Sequence, residues 1–124
     1  MRLLLDTHVA LWWLAGADIS PTASAAIADP SSEVYVSAAS VWEVEIKAAI
    51  GRLTIDGEFA DALRAEQVVP LSITWPHAVE AGRLPAHHRD PFDRMLVAQA
   101  RIEGLTLVTR DERLGAYDVA RLRA

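Results

Sequence analysis

The 124-residue sequence predicts an α/β fold: a small parallel β-sheet with helices on both faces. Three observations carry this. Strand-like runs alternate with helical patterns along the whole chain. Two of the runs, LLL and LTLV, are apolar throughout, as strands buried on both faces are. Hydrophobic residues make up 52% of the chain, with no repeat, low-complexity stretch or long linker, so residues 1–124 are expected to form one domain.

The elements follow in order. RLLLD is a short apolar run that ends on Asp6 and predicts a buried strand. THVALWWLAG predicts a helix closed by Gly16. In SPTASAAIADP, Ser20 is an N-cap, Pro21 takes the first helical position, and the stop falls near Pro30. EVYVS is strand-like. SVWEVEIKAAIGRL predicts a helix ending at Gly51, with Ser40 and Glu43 spaced as a capping box. DGEFADALRAEQ predicts another helix, and VVPLS a strand weakened by Pro70. TWPHAVEAGRLP is helical, with His77 expected at the surface. DPFDRMLVAQARIEG predicts a helix from the Asp90 cap to Gly104, and LTLVT a strand. RDERLGAYDVARLRA predicts a short helical turn and an undefined tail.

Composition bounds the function. There is no cysteine, which excludes disulfides, thiolate metal sites and cysteine nucleophiles. Asp6 and His8 interrupt the apolar start, unlike a signal peptide, and no run approaches the roughly 18 apolar residues of a membrane helix. A soluble, cytoplasmic protein is expected. The net charge of -5 argues against wholesale nucleic-acid binding. Its distribution is uneven: residues 1–80 hold 4 basic and 11 acidic residues, residues 81–124 hold 8 and 6.

Parallel sheets place ligands at the carboxyl ends of their strands. Asp6 and Asp111 follow predicted strands, while Glu43 and Asp93 fall in predicted first turns of helices, so all four acids can reach one sheet edge. Each also has a purely structural explanation, because caps cluster at that edge and each stabilises by about 1 kcal/mol. If the carboxylates converge instead, they repel unless protonated or neutralised by a cation. Mg²⁺ or Mn²⁺ suits such an oxygen set; zinc suits it less, there being no paired-histidine or thiolate pattern. His87 and His88 are adjacent, project differently, and are not expected to share a metal.

The stretches LLLDTHVALWW, SAASVWEVEIKAAIGRL, HHRDPFDRMLVAQA and LTLVTRDERLGAY, in this order and spacing, resemble those of PIN-domain ribonucleases, specifically VapC-type toxins of toxin–antitoxin pairs. The resemblance spans nearly the whole chain. It implies a three-layer α/β/α PIN-like fold and a Mg²⁺- or Mn²⁺-dependent endoribonuclease acting on single-stranded RNA. It assigns Asp6, Glu43, Asp93 and Asp111 as catalytic, metal-binding acids and Thr109 as a supporting hydroxyl. Asp90 has no ligand role in the pattern and is left as a cap; Glu45, two residues from Glu43, points elsewhere on its helix. It also implies a homodimer and a cognate antitoxin.

On this reading Asp6 and Asp93 are the main ligands, Glu43 binds a second ion or orients a water, and Asp111 acts through waters. Whether one ion or two operates is open. Arg89, Arg94, Arg110 and Arg113 flank the acids and are candidates for gripping RNA phosphates. Trp12 and Trp13 project about 100° apart on one helix, so either a wide core face or a protein interface takes them. Three rivals stand: a non-catalytic α/β protein-binding module in which the acids are only caps, a PIN nuclease for RNA processing without an antitoxin, and another Mg²⁺-dependent phosphohydrolase. The last lacks its acid pair, since DTH puts His8 where a second aspartate is needed.

Overall fold

The run LLL is apolar throughout because both of its faces are covered. The computed structural model describes residues 1–124 and runs β1 (Arg2–Leu5), α1 (Thr7–Leu14), α2 (Pro21–Ala28), β2 (Glu33–Ser37), α3 (Ala38–Ala49), α4 (Phe59–Ala65), β3 (Val69–Leu71), α5 (Trp75–Arg83), α6 (Pro91–Glu103), β4 (Thr106–Thr109), a 3₁₀ turn (Glu112–Ala116) and β5 (Arg121–Arg123). The five strands form one parallel sheet in the order β3-β2-β1-β4-β5. Side chains alternate across it. Leu3 and Leu5 pack with Val9, Ile27, Val44 and Phe59 of α1–α4 on one face, and Leu4 packs with Ala81, Leu96, Val97 and Ala100 of α5 and α6 on the other. Each fully buried leucine contributes about 1.5–3 kcal/mol. This is the expected α/β/α sandwich.

The strand order fixes where a site can form. From β1 the chain steps outward to β2 and β3. It then crosses back through α5 and α6 to β4, on the other side of β1. The winding reverses between β1 and β4, which opens a crevice beyond their carboxyl ends. Asp6 sits there, its amide extending the ladder to the Val108 carbonyl at 3.0 Å.

Three expectations are corrected. The tail is not undefined: residues 121–123 form β5, paired with Leu107, Val108 and Thr109. Its sequence RLR carries one apolar residue, since an edge strand buries little, and β4 supplies the order. The α3 cap is Ser37, whose hydroxyl accepts from the Ala39 amide at 3.0 Å. Ser40 lies inside the helix and accepts a hydrogen bond from Thr7 Oγ1 at 2.8 Å, so Glu43 stands in the second turn and caps nothing. His77 is fully buried rather than on the surface: its Nδ1 accepts from the Thr74 amide in a capping box, and its Nε2 meets Glu103 at 2.9 Å. Pro70 sits in β3, an edge strand, where a missing N–H is tolerated.

Candidate functional site

Four carboxylates from four parts of the chain meet at the crevice. Asp6 is presented by the end of β1, Glu43 by α3, Asp93 by the first turn of α6, and Asp111 by the turn after β4. With Lys47, His88, Asp90, Arg110, Arg113, His8 and Trp12 they line one cleft of about 340 Å³. Asp6 occupies the N-cap position of α1, yet its side chain makes no capping bond. Its Oδ2 instead accepts from the Thr109 hydroxyl at 2.7 Å, and the same hydroxyl accepts from the Asp111 amide at 3.0 Å. Thr109 thereby couples the ends of β1 and β4. Asp90 does what its place suggests: its Oδ1 accepts from the Phe92 and Asp93 amides at 2.8 and 3.2 Å, capping α6. Asp93 is left free of that duty and turns to the cleft.

The acids do not share their partners equally. Glu43 Oε2 binds Lys47 Nζ at 2.7 Å, one helical turn along α3, while its buried Oε1 has no partner. Asp111 accepts from Nε and Nη2 of Arg113, each at 3.0 Å. His88 Nε2 lies 3.1 Å from Asp93 Oδ2 and 3.3 Å from Asp111 Oδ2. Asp93 has no cation beside it. Burial, reinforced by Asp6, Asp90, Glu43 and Asp111, pushes its carboxyl up to about 7. Burial also raises Asp6, against the lowering pull of the Thr109 bond. Asp111 moves the other way because Arg113 holds its carboxylate.

A family model for the PIN domain matches residues 3–120. The chain belongs to the PIN domain family. Over 119 residues it is 37% identical to Ribonuclease VapC22 of Mycobacterium tuberculosis, covering 93% of this chain and 91% of that protein. The fold is similar to VapBC2 from Rickettsia felis bound to a fragment of promoter DNA, at a TM-score of 0.75 and 12% identity over 99% of this chain and 98% of that one. It is also similar to DNA-bound VapBC from Salmonella typhimurium, at a TM-score of 0.70 and 15% identity with the same coverage.

The donor set of this PIN domain fits a hard divalent cation. The converging groups are carboxylates, and one buried carboxylate oxygen, Glu43 Oε1, lacks any protein partner. His88, Asp93 and Asp111 also lie close enough to share an ion. The histidine, however, is arranged as a donor: its Nδ1 accepts from the Asp90 amide at 3.2 Å, which puts the ring proton on Nε2, facing the carboxylates. Sequence reasoning missed His88 and Lys47. The Glu43–Lys47 spacing of four was a readable signal; the direction of His88 was not, because it depends on the loop before α6.

The four arginines separate. Arg94 donates to the carbonyls of Ala81, Leu84, Pro85 and His88, which ties the end of α5 to the start of α6. Arg110 donates to the carbonyls of Ala124 and Asp18 and lies 4.2 Å over the Trp12 ring. Arg113 is paired with Asp111, and Arg89 is exposed. Trp12 and Trp13 are both half-buried against the core, whereas Trp42 and Trp75 stand exposed.

Proposed function

We propose that this PIN domain is the endoribonuclease toxin of a VapC-type toxin–antitoxin pair, hydrolysing RNA with Mg²⁺ or Mn²⁺ held by Asp6, Glu43, Asp93 and Asp111. The observation that carries this is the meeting of four carboxylates at the β1–β4 crevice with Glu43 Oε1 buried and unpartnered. Caps alone do not account for it. Asp6 and Glu43 make no capping bond, and α6 is capped by Asp90, which leaves Asp93 free. The 37% identity to a named ribonuclease supports the activity.

A bound divalent cation supplies an acidified water and offsets the charge that builds on the phosphate. The chain's residues do the rest. Asp6, fixed by Thr109, and Asp93, freed by the Asp90 cap, face the cleft as ligands. Glu43, steadied by Lys47, offers its free oxygen. Asp111, held by Arg113 and His88, acts on the other three through waters. Arg113, which lines the cleft, and Arg89, which is exposed, are the arginines left free of backbone carbonyls for RNA phosphates; Arg94 and Arg110 are tied to them.

The partners belong to the same proposal: a cognate antitoxin, and a second copy of the chain. The solved relatives are themselves VapBC complexes. Exposed Trp42 and Trp75 are suited to such contacts. No helix is long and apolar enough to cross a membrane. The proposal includes a cytoplasmic location and a single domain over residues 1–124.

The test is cleavage of labelled single-stranded RNA with Mg²⁺, with Mn²⁺ and with EDTA, beside Asp6→Asn and Asp93→Asn. Metal-dependent cutting that disappears in both variants is expected. An active Asp93→Asn protein defeats the assignment.

A further inference from the structure

The four acids are not equally compensated. Two of them already have a protein cation within bonding distance. Lys47 Nζ sits 2.7 Å from Glu43 Oε2, with the Glu43 side chain only 5% exposed. Arg113 engages both oxygens of Asp111. The other two have only neutral donors. Asp6 accepts from the Thr109 hydroxyl, and Asp93 meets the Nε2–H of a His88 whose Nδ1 is itself an acceptor. His8 stacks on Trp12 beside Asp6, while two other charged groups of the cleft face away. Asp90 turns to the amides of its own helix, and Arg110 to the carbonyls of Ala124 and Asp18.

We propose that Lys47 and Arg113 are built-in counter-cations, so that the acidic cleft takes one divalent cation and not two. Two uncompensated carboxylates match the charge of one such ion. A second ion would need Glu43 Oε2 or Asp111, and would there face an ammonium or a guanidinium at contact distance. In two-metal sites the ions lie about 3.5–4 Å apart, and here the carboxylate oxygens left for a second ion are already taken by Lys47 and Arg113. Lys47 thus acts as a positioning residue. It holds Glu43 by Oε2, leaves Oε1 free, and supplies the positive charge that a second ion would otherwise bring. The inference rests on the metal-dependent reading above.

The experiment is titration of EDTA-treated protein with Mn²⁺, read by calorimetry and by the electron paramagnetic resonance of free Mn²⁺. The full chain is compared with Lys47→Met, Lys47→Arg, Arg113→Gln and Asp93→Asn. The expected counts are one ion for the full chain and for Lys47→Arg, which keeps the charge, and none with Asp93→Asn. Lys47→Met or Arg113→Gln removes one counter-cation, and the count rises to two; either variant serves if the other fails to fold. Two ions in the unaltered protein, or one ion in both folded variants, overturns the inference while leaving a metal site standing. No Mn²⁺ binding in the unaltered protein sinks the metal-dependent reading and the inference with it.

Discussion

Asp93 is the residue whose environment has the largest consequence. Its carboxyl titrates near 7 in the folded, ion-free protein and near 3.8 in an unperturbed chain. Folding therefore takes up a proton between those values, and stability falls as pH rises from about 4 to about 7. Asp6, also raised, adds to the fall; Asp111, lowered by Arg113, changes stability only in more acidic solution. Urea unfolding across this range in EDTA is expected to show the decline, and Asp93→Asn to flatten it. Saturating Mg²⁺ reverses the trend, because the ion favours the ionised carboxylates. Thr109 is a second point of leverage. Thr109→Val leaves the shape but removes the donor to Asp6, at a cost of about 1.5–3 kcal/mol for a bond to a charged group. Calorimetry is expected to show weaker ion binding in Thr109→Val and near-normal binding in Thr109→Ser. Glu43 lies one turn further into α3 than the sequence pattern placed it. Asp6, Asp93 and Asp111 were legible in the sequence because each follows a strand or opens a helix. Their partners were not: His88 and Arg94 act through the loop between α5 and α6, whose path no local pattern dictates.

At the scale of elements, α6 separates structural from chemical acids within one turn. Asp90 caps and Asp93 faces the cleft, three residues apart. Asp90→Asn keeps a good cap and is expected to keep RNA cleavage, whereas Asp90→Ala costs about 1 kcal/mol of stability. Arg94 belongs to this scale too. Its guanidinium gathers carbonyls from the end of α5 and from His88, so Arg94→Met is expected to lower stability by about 3 kcal/mol. The dependence of RNA binding on salt should not change, since Arg94 grips protein rather than phosphate. Arg89→Gln is the contrast: for single strands, removing a charge that neutralises one phosphate flattens the log–log salt slope by about 0.7. Helices with a cap and a closing glycine, such as α6, could be read from the sequence. The cap of α3 was displaced by three residues because Ser37 and Ser40 offer the same chemistry, and only the crossing of α1 decides between them. Strand β5 was invisible for want of apolar residues.

For the whole molecule, a divalent cation held in the cleft would tie together segments far apart in the chain. An ion at about 100 times its dissociation constant stabilises by about 2.7 kcal/mol. Thermal unfolding with Mn²⁺ is therefore expected about 10 °C above that in EDTA, a difference abolished by Asp93→Asn. The parallel sheet and its two covered faces followed from the alternation of elements and the apolar runs. The reversal between β1 and β4, which makes the crevice, did not, because strand order is set by packing of the whole chain. That reversal also governs timing. The Thr109–Asp6 bond joins residues 103 apart, and contacts of such separation form late. On the ribosome Asp6 emerges early and waits for β4, the last of the three central strands, so a growing chain holds no complete cleft. The ability to cut RNA arrives only once β4 has been made, and the translating machinery is spared a half-made nuclease in its midst.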